Sequence, residues 1–399
     1  MTGIIKERLF TPGPTPLLME GQARTLTATL HHRTESFRQL MRETLENLRY
    51  FYNTQNDVLI FSSSGTGAME GSISNLTSSG ERVLVCTAGK FGERWLQLAQ
   101  AYGLEVVKVE APYGQPLSVE EIGKRLKNDG PFRAVYIQAT ESSTGVSHDV
   151  KAVGEMVKAL PETCFVVDAI TGLGTTDLQP DEWGLDIVIG GSQKALMVPP
   201  GLAFASVSNK AWKLIEKSKA PRYYFDFAKE RKNLAKGESS YTPATTLVVG
   251  LHATLGYIRQ IGRENLIKNA AFLAEATRAA AKALGLSLFA TGSPANALTA
   301  IKAPEGMDSG AIVKEMRSQF GAIIANGQGS MKGQIFRFAH LGYYDALELF
   351  AALAGLEIAL VKLGHKCELG SGVRAAQKLY LEGAGASKPG APSLMKGAV

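Results

Sequence analysis

Cysteine is scarce in this chain. Cys86, Cys164 and Cys367 are the only three among 399 residues, and no two form a CxxC pair. That excludes a disulfide framework and a zinc ribbon, and it fits a reducing, intracellular compartment. Long apolar runs are missing too: none reaches the roughly 18 residues of a membrane span. The opening stretch, Met1 to Pro16, lacks the apolar centre of a secretory signal. The closing Lys396-Gly397-Ala398-Val399 is neither a peroxisomal nor a retention signal, so the cytoplasm is expected. Neither sign of charge dominates, with 43 Lys plus Arg against 37 Asp plus Glu. No basic block is interleaved with aromatics, so neither nucleic acid nor a membrane is an expected partner. The six histidines contain no HxxxH, and no G-x-S-x-G elbow occurs; no metal is expected.

What is present is an ordinary globular balance, 45% hydrophobic and 20% charged, over a length that predicts two or three domains. Short apolar runs recur: Asp57–Phe61, Arg82–Cys86, Leu104–Val109, Ala134–Gln138, Cys164–Asp168 and Asp186–Gly190. Helical stretches separate them, at about Gly67 to Leu76, Glu93 to Tyr102, Val119 to Lys127 and Val150 to Leu160. Continuous apolar strands alternating with helices predict a mainly parallel sheet covered on both faces. Such α/β domains bind ligands in the loops at the carboxyl ends of their strands. A long helical stretch from Pro243 to Leu284, broken near Gly262, leads into a smaller α+β region. Its strands are expected at Leu298–Ile301, Ile323–Ile324 and Gln334–Phe338. The organisation read from this is an N-terminal segment 1–15, a large domain 16–259, a small domain 260–365 and a tail 366–399. From Gly383 onward the tail is rich in Gly, Ala, Pro and Ser, and loose order is expected there.

Three features carry chemistry. Lys194 follows the apolar strand that ends in Gly190-Gly191, where a lysine withdrawn from water loses its proton and suits Schiff-base chemistry. The alternative is a surface loop lysine. Asp168 ends Phe165-Val166-Val167-Asp168, where an acid can hold a pyridinium nitrogen protonated, or else form a turn or cap. Ser64-Gly65-Thr66-Gly67 joins a strand to a helix. Its exposed N–H groups suit a phosphate, although a plain turn would look the same. The glycines miss the G-x-G-x-x-G spacing by one residue, and no acid ends the next strand, which argues against a dinucleotide site. Together the three make the parts list of a pyridoxal-phosphate enzyme. Phe91 is placed either to stack on the ring or to pack in the core.

The segment Gly191-Ser192-Gln193-Lys194-Ala195-Leu196, continuing to Pro199-Pro200-Gly201, resembles the lysine motif of class V aminotransferases. The nearest branch holds the alanine–glyoxylate, serine–glyoxylate and serine–pyruvate enzymes. Thr11-Pro12-Gly13-Pro14-Thr15-Pro16 resembles that branch's opening, and Thr140-Glu141-Ser142-Ser143-Thr144-Gly145-Val146 its loop over the cofactor. Val167-Asp168-Ala169-Ile170 resembles its pyridine-nitrogen strand, and Arg337-Phe338-Ala339-His340-Leu341-Gly342 its carboxylate-arginine motif. The likeness runs from about residue 10 to 365. It implies fold type I of the pyridoxal-phosphate-dependent transferases, with a mainly parallel seven-stranded sheet and a smaller C-terminal α+β domain. It also implies a homodimer with active sites at the subunit interface, acting on small amino acids and 2-oxo acids by alternating half-reactions. By the same resemblance Lys194 bonds the cofactor aldehyde, Asp168 holds the ring nitrogen and Ser142 lies near the ring. Ser64, Gly65, Thr66 and Gln193 approach the phosphate, Arg337 takes the substrate carboxylate, and Thr242 reaches the neighbouring subunit's phosphate. The family often has tryptophan where Phe91 stands, and Tyr or Thr where Ser239 stands.

Only Arg337 sits in a motif suited to a carboxylate, and no second cation is evident near the cofactor motifs. The expected reaction is therefore amino transfer from alanine or serine to glyoxylate or pyruvate. The alternatives are an aspartate or glutamate donor, admitted by a cation such as Arg33, and a lyase or desulfurase of the same fold. Desulfurase chemistry needs a mobile cysteine near the substrate, and residues 325 to 334 contain none.

Overall fold

A computed structural model describes residues 4–27 and 30–384. The tail expected to be loose lies, from residue 385 onward, outside the described residues.

The main sheet has seven strands: β1 (Asp57–Phe61), β2 (Arg82–Thr87), β3 (Glu105–Glu110), β4 (Ala134–Gln138), β5 (Cys164–Asp168), β6 (Ile187–Gly191) and β7 (Ala203–Val207). Their spatial order is β1-β7-β6-β5-β4-β2-β3. The strands β6, β5, β4, β2 and β3 pair in parallel. Strand β7 lies antiparallel between β1 and β6, so the sheet is mixed at one end. Burial explains the apolar runs: β4, β5, β6 and β7 are buried at every residue, as strands covered by helices on both faces must be. The edge strand β3 exposes Glu105, Lys108 and Glu110, charges that keep an open edge from pairing with another chain.

Helices cover the sheet. In α1 (Met19–Thr27) and α2 (Glu35–Tyr52) the chain climbs toward β1. Helix α2 buries Phe37, Met41, Leu45, Leu48 and Tyr52, one face at helical spacing. The Thr34 hydroxyl caps its first turn. Helix α3 (Gly65–Leu76) follows β1, and α4 (Lys90–Ala101) follows β2. The expected long helix is two, α5 (Thr245–Ile261) and α6 (Arg263–Ala283). Gly262 separates them at φ +84°, a left-handed value that glycine adopts without steric cost.

A second hydrophobic core lies around a three-stranded sheet of β8 (Leu298–Lys302), β9 (Ala325–Asn326) and β10 (Ile335–Ala339), in the order β8-β10-β9. The helices Ser309–Phe320 and α7 (Ala346–Lys362) pack there, and Ala376 of α8 (Ser371–Leu379) adds to it beyond residue 365. The N-terminal segment belongs to this layer as well. Arg8–Leu9 pairs in parallel with Ala322–Ile323, and Phe10 is buried among Phe338 and Tyr344.

Candidate active site

The carboxyl ends of the parallel strands of the main sheet converge on one edge. The loops there carry Ser64 after β1, Phe91 after β2, Ser142 after β4, Asp168 at the end of β5, and Gln193 and Lys194 after β6. Strand β10 brings Arg337 from the other core. Phe336 and Phe338 point into that core, so alternation turns Arg337 the other way. Its guanidinium meets the Ser142 carbonyl at 2.7 Å and the Asn326 carbonyl through Nε at 3.2 Å and Nη2 at 2.7 Å. Three of five N–H donors are thus used, which leaves one on each terminal nitrogen.

Lys194 is enclosed by the N-terminal segment. Its Nζ donates to the Pro12 carbonyl, and the Thr15 hydroxyl donates to the Lys194 carbonyl at 2.9 Å. Gly13 is required at φ +148°, and a Cβ there would also lie 2.8 Å from Lys194 Cε. Withdrawal from water lowers the Lys194 amine to about 8; Asp168 opposes the shift, and the charges of Arg337 and Arg94 add to it. Asp168 is 5% exposed, and its Oδ1 accepts the Ile170 N–H at 2.9 Å. Burial raises its carboxyl to about 6; the Ile170 bond opposes the shift and the Glu141 charge adds to it. Strand register sets Gln138 beside Asp168.

Glu141 joins the loop after β4 to the start of α4. One carboxylate oxygen accepts the N–H groups of Phe91 and Gly92, each at 3.0 Å. The other accepts the N–H of Ser143 at 3.1 Å and its hydroxyl at 2.6 Å. Ser143 Oγ accepts the Lys90 N–H at 3.0 Å. This buried carboxyl is pushed up by dehydration and held back by those bonds. The stretch expected as the loop Thr140 to Ser147 is a small hairpin, Thr140–Glu141 against Val146–Ser147. Helix α4 begins at Lys90 rather than Glu93, because the distant Glu141 caps it. Phe91 is consequently in its first turn, half-buried.

At the start of α3, Ser64 is the N-cap residue but its side chain makes no capping hydrogen bond. The Thr66 hydroxyl accepts from Arg94 Nη1 at 3.1 Å, and the Arg94 guanidinium carbon stands 4.8 Å from the Phe91 ring centre. This corrects one expectation: a second guanidinium does lie among the cofactor motifs, and it is Arg94. Arg33 is exposed and bonded to its neighbours His31 and His32. Thr242 lies on the segment that meets the loop after β1 through Ser62, whose Oγ accepts the Ala244 N–H at 3.0 Å. It is exposed, beside a surface hollow lined by Ser239, Tyr241 and Tyr224. Sequence reading gave no role to Arg94, nor to Glu141 and Ile170, although the last two stand inside motifs it quoted. Ile170, two residues after Asp168, sets its side chain against Gly65 and Gly191, forming an apolar wall between the α3 turn and the lysine strand.

Buried polar atoms on this edge test what it can hold. Thr87 Oγ1, both amide atoms of Gln138, Thr140 Oγ1 and Gln193 Oε1 have no hydrogen-bond partner among the described residues. Each such atom costs about 1–3 kcal/mol unless something polar meets it. A lysine of lowered basicity, a buried carboxyl, an uncapped helix start and a half-buried aromatic ring answer the aldehyde, ring nitrogen, phosphate and ring face of pyridoxal phosphate. Among the described residues no group of three or more His, Cys, Asp or Glu side chains could hold a metal ion. No helix among them is long and apolar enough to cross a membrane.

Fold and site together define a pyridoxal-phosphate-dependent transferase. The chain belongs to the aminotransferase class-V family, which it matches over residues 18–370, and is an enzyme that uses that cofactor. It is 40% identical over 379 residues to a protein of Anabaena cylindrica named soluble hydrogenase 42 kDa subunit, a match spanning 94% of this chain and 99% of that one. It is 34% identical over 388 residues to the serine–glyoxylate aminotransferase of Methylorubrum extorquens, covering 94% of this chain and 96% of that one. The crystal structure of a subgroup IV aspartate aminotransferase from Thermus thermophilus resembles it with a TM-score of 0.83 at 32% identity, over 89% of this chain and 99% of that one.

Proposed function

We propose that this aminotransferase moves the amino group of a small neutral amino acid, alanine or serine, to glyoxylate or pyruvate. The observation that carries the reading is Arg337: clamped by two backbone carbonyls, its guanidinium keeps one N–H on each terminal nitrogen for a single carboxylate. The likeness to a serine–glyoxylate aminotransferase supports it.

The bound cofactor supplies an aldehyde to carry the amino group and a ring to draw electrons from the substrate's Cα. The protein's residues do the rest. Lys194 would hold the cofactor at its aldehyde, and its amine would be the group that moves a proton at the substrate's Cα. Asp168 keeps the ring nitrogen protonated, and that positive charge in turn favours the carboxylate form of a buried acid. Phe91 packs on the ring, with Ser142 beside it. Ser64, Gly65, Thr66 and Gln193 receive the phosphate. Residues 16–259 hold the cofactor, and residues 260–365 bring Arg337 to it. In a homodimer, Thr242 serves the neighbouring subunit's phosphate.

A second reading, aspartate or glutamate as donor, draws on Arg94 as a cation for a second carboxylate. The deciding experiment mixes the holoenzyme with one amino acid at a time and follows loss of the bound cofactor's absorbance band. Alanine or serine should react fastest. A much faster reaction with aspartate or glutamate replaces the first reading with the second.

A further inference from the structure

Arg94 stands one helical turn after Phe91, on the same face of α4. Its guanidinium lies over the Phe91 ring, and one N–H is fixed on the Thr66 hydroxyl, in the first turn of α3. Among the described residues no carboxylate lies within ion-pair range of it, whereas most of the charged side chains engaged elsewhere are paired on the surface. The residues that face the phosphate in this reading, Ser64, Gly65, Thr66 and Gln193, are all neutral. A phosphate ester brings between one and two negative charges at neutral pH. A helix start offers about half a positive charge in return. Lys194 is committed at the aldehyde end.

We propose that Arg94 is the cation that binds the phosphate of the cofactor. After its bond to Thr66 it keeps four N–H donors, and stacking on Phe91 holds the guanidinium plane in place. Its charge also reaches the other end of the site, lowering both the Asp168 carboxyl and the Lys194 amine. One side chain thereby couples the aromatic lid to the phosphate turn. The assignment rests on the cofactor class and not on the identity of the donor. It also leaves Arg337, and not Arg94, as the guanidinium for the substrate, in keeping with a monocarboxylate donor.

The test strips the cofactor from the full-length enzyme and titrates it back, using pyridoxal 5′-phosphate and phosphate-free pyridoxal on wild type, Arg94→Ala and Arg94→Lys. Arg94→Ala should weaken binding of the phosphorylated cofactor at least about tenfold more than it weakens binding of pyridoxal, the scale of one charge-assisted contact. Arg94→Lys should fall between the two. Retained capture of pyridoxal also certifies that the variant is folded. Equal losses for both compounds, or no loss for either, overturn the proposal. The donor series on the wild-type enzyme separately decides the fate of the monocarboxylate reading.

Discussion

The amino group of Lys194 donates a hydrogen bond to the carbonyl of Pro12, 182 residues earlier in the chain. The same N-terminal segment is built into the second core through Arg8, Leu9 and Phe10. The lysine at the end of β6 is therefore touched by both cores at once. That enclosure keeps water from its amine, and the first prediction follows.

Enzyme stripped of cofactor should capture pyridoxal phosphate at a rate that rises about tenfold per pH unit up to about pH 8, then levels off. Only the neutral amine attacks an aldehyde. Because burial and the Arg337 and Arg94 charges pull the amine down from its ordinary value, the plateau comes early; an unperturbed lysine would keep gaining past pH 10. Stopped-flow absorbance measures the rate. Borohydride should then fix the cofactor to the peptide containing Lys194, and label on another lysine would refute the assignment.

Asp168→Asn should still bind cofactor but turn over on the order of 100-fold more slowly, the scale of losing one preorganised electrostatic partner. The shape is nearly kept and the charge facing the ring nitrogen is lost. Near-normal turnover, with normal cofactor content by absorbance, would place that role elsewhere.

Glu141→Gln should destabilise the protein by about 2–3 kcal/mol, since a buried carboxylate holding four donors becomes an amide that must turn an N–H group toward some of them. Urea unfolding of the stripped protein reads this directly. A midpoint identical to wild type would mean that the contact between α4 and the hairpin does not depend on the charge.

Arg337→Lys should raise KM for the amino acid by about tenfold or more while cofactor content stays normal. A lysine cannot hold the Ser142 and Asn326 carbonyls and present two parallel N–H groups as well. Steady-state kinetics with alanine and serine would show it, and an unchanged KM rules out carboxylate recognition by this residue.

Sharing of sites between subunits predicts that Thr242→Ala loses cofactor faster on dialysis while Lys194 remains its point of attachment. It also predicts a dimer by sedimentation at assay concentration. A fully active monomer would end the sharing model.

Much of this was legible from residue patterns, and the exceptions share a cause. Apolar runs marked six of the seven strands, because a strand buried on both faces needs no polar residue. Strand β7, Ala203-Phe204-Ala205-Ser206-Val207, carries small residues of weak strand preference and owes its form to the neighbours β1 and β6. The start of α4 is not legible locally because its cap, Glu141, is far away in sequence. Lys194 and Asp168 stood out because a charge at the end of an apolar strand is conspicuous. Arg94 did not, since a charged residue in a helix ordinarily faces water, and only the fold brings Thr66 and Phe91 to it.

The placement of β7 bears on how the chain acquires its shape. Among the described residues strand β1 has no sheet partner other than β7, which is made long after it. As the polypeptide emerges from the ribosome, Val58, Leu59, Ile60 and Phe61 must wait with an unpaired backbone until Ala203–Val207 has followed. Closure of so distant a pairing is slow, and an apolar edge left open meanwhile invites aggregation. The last step in completing the sheet is thus an insertion, and fragments ending before residue 203 would expose the very strand that leads into the Ser64 turn.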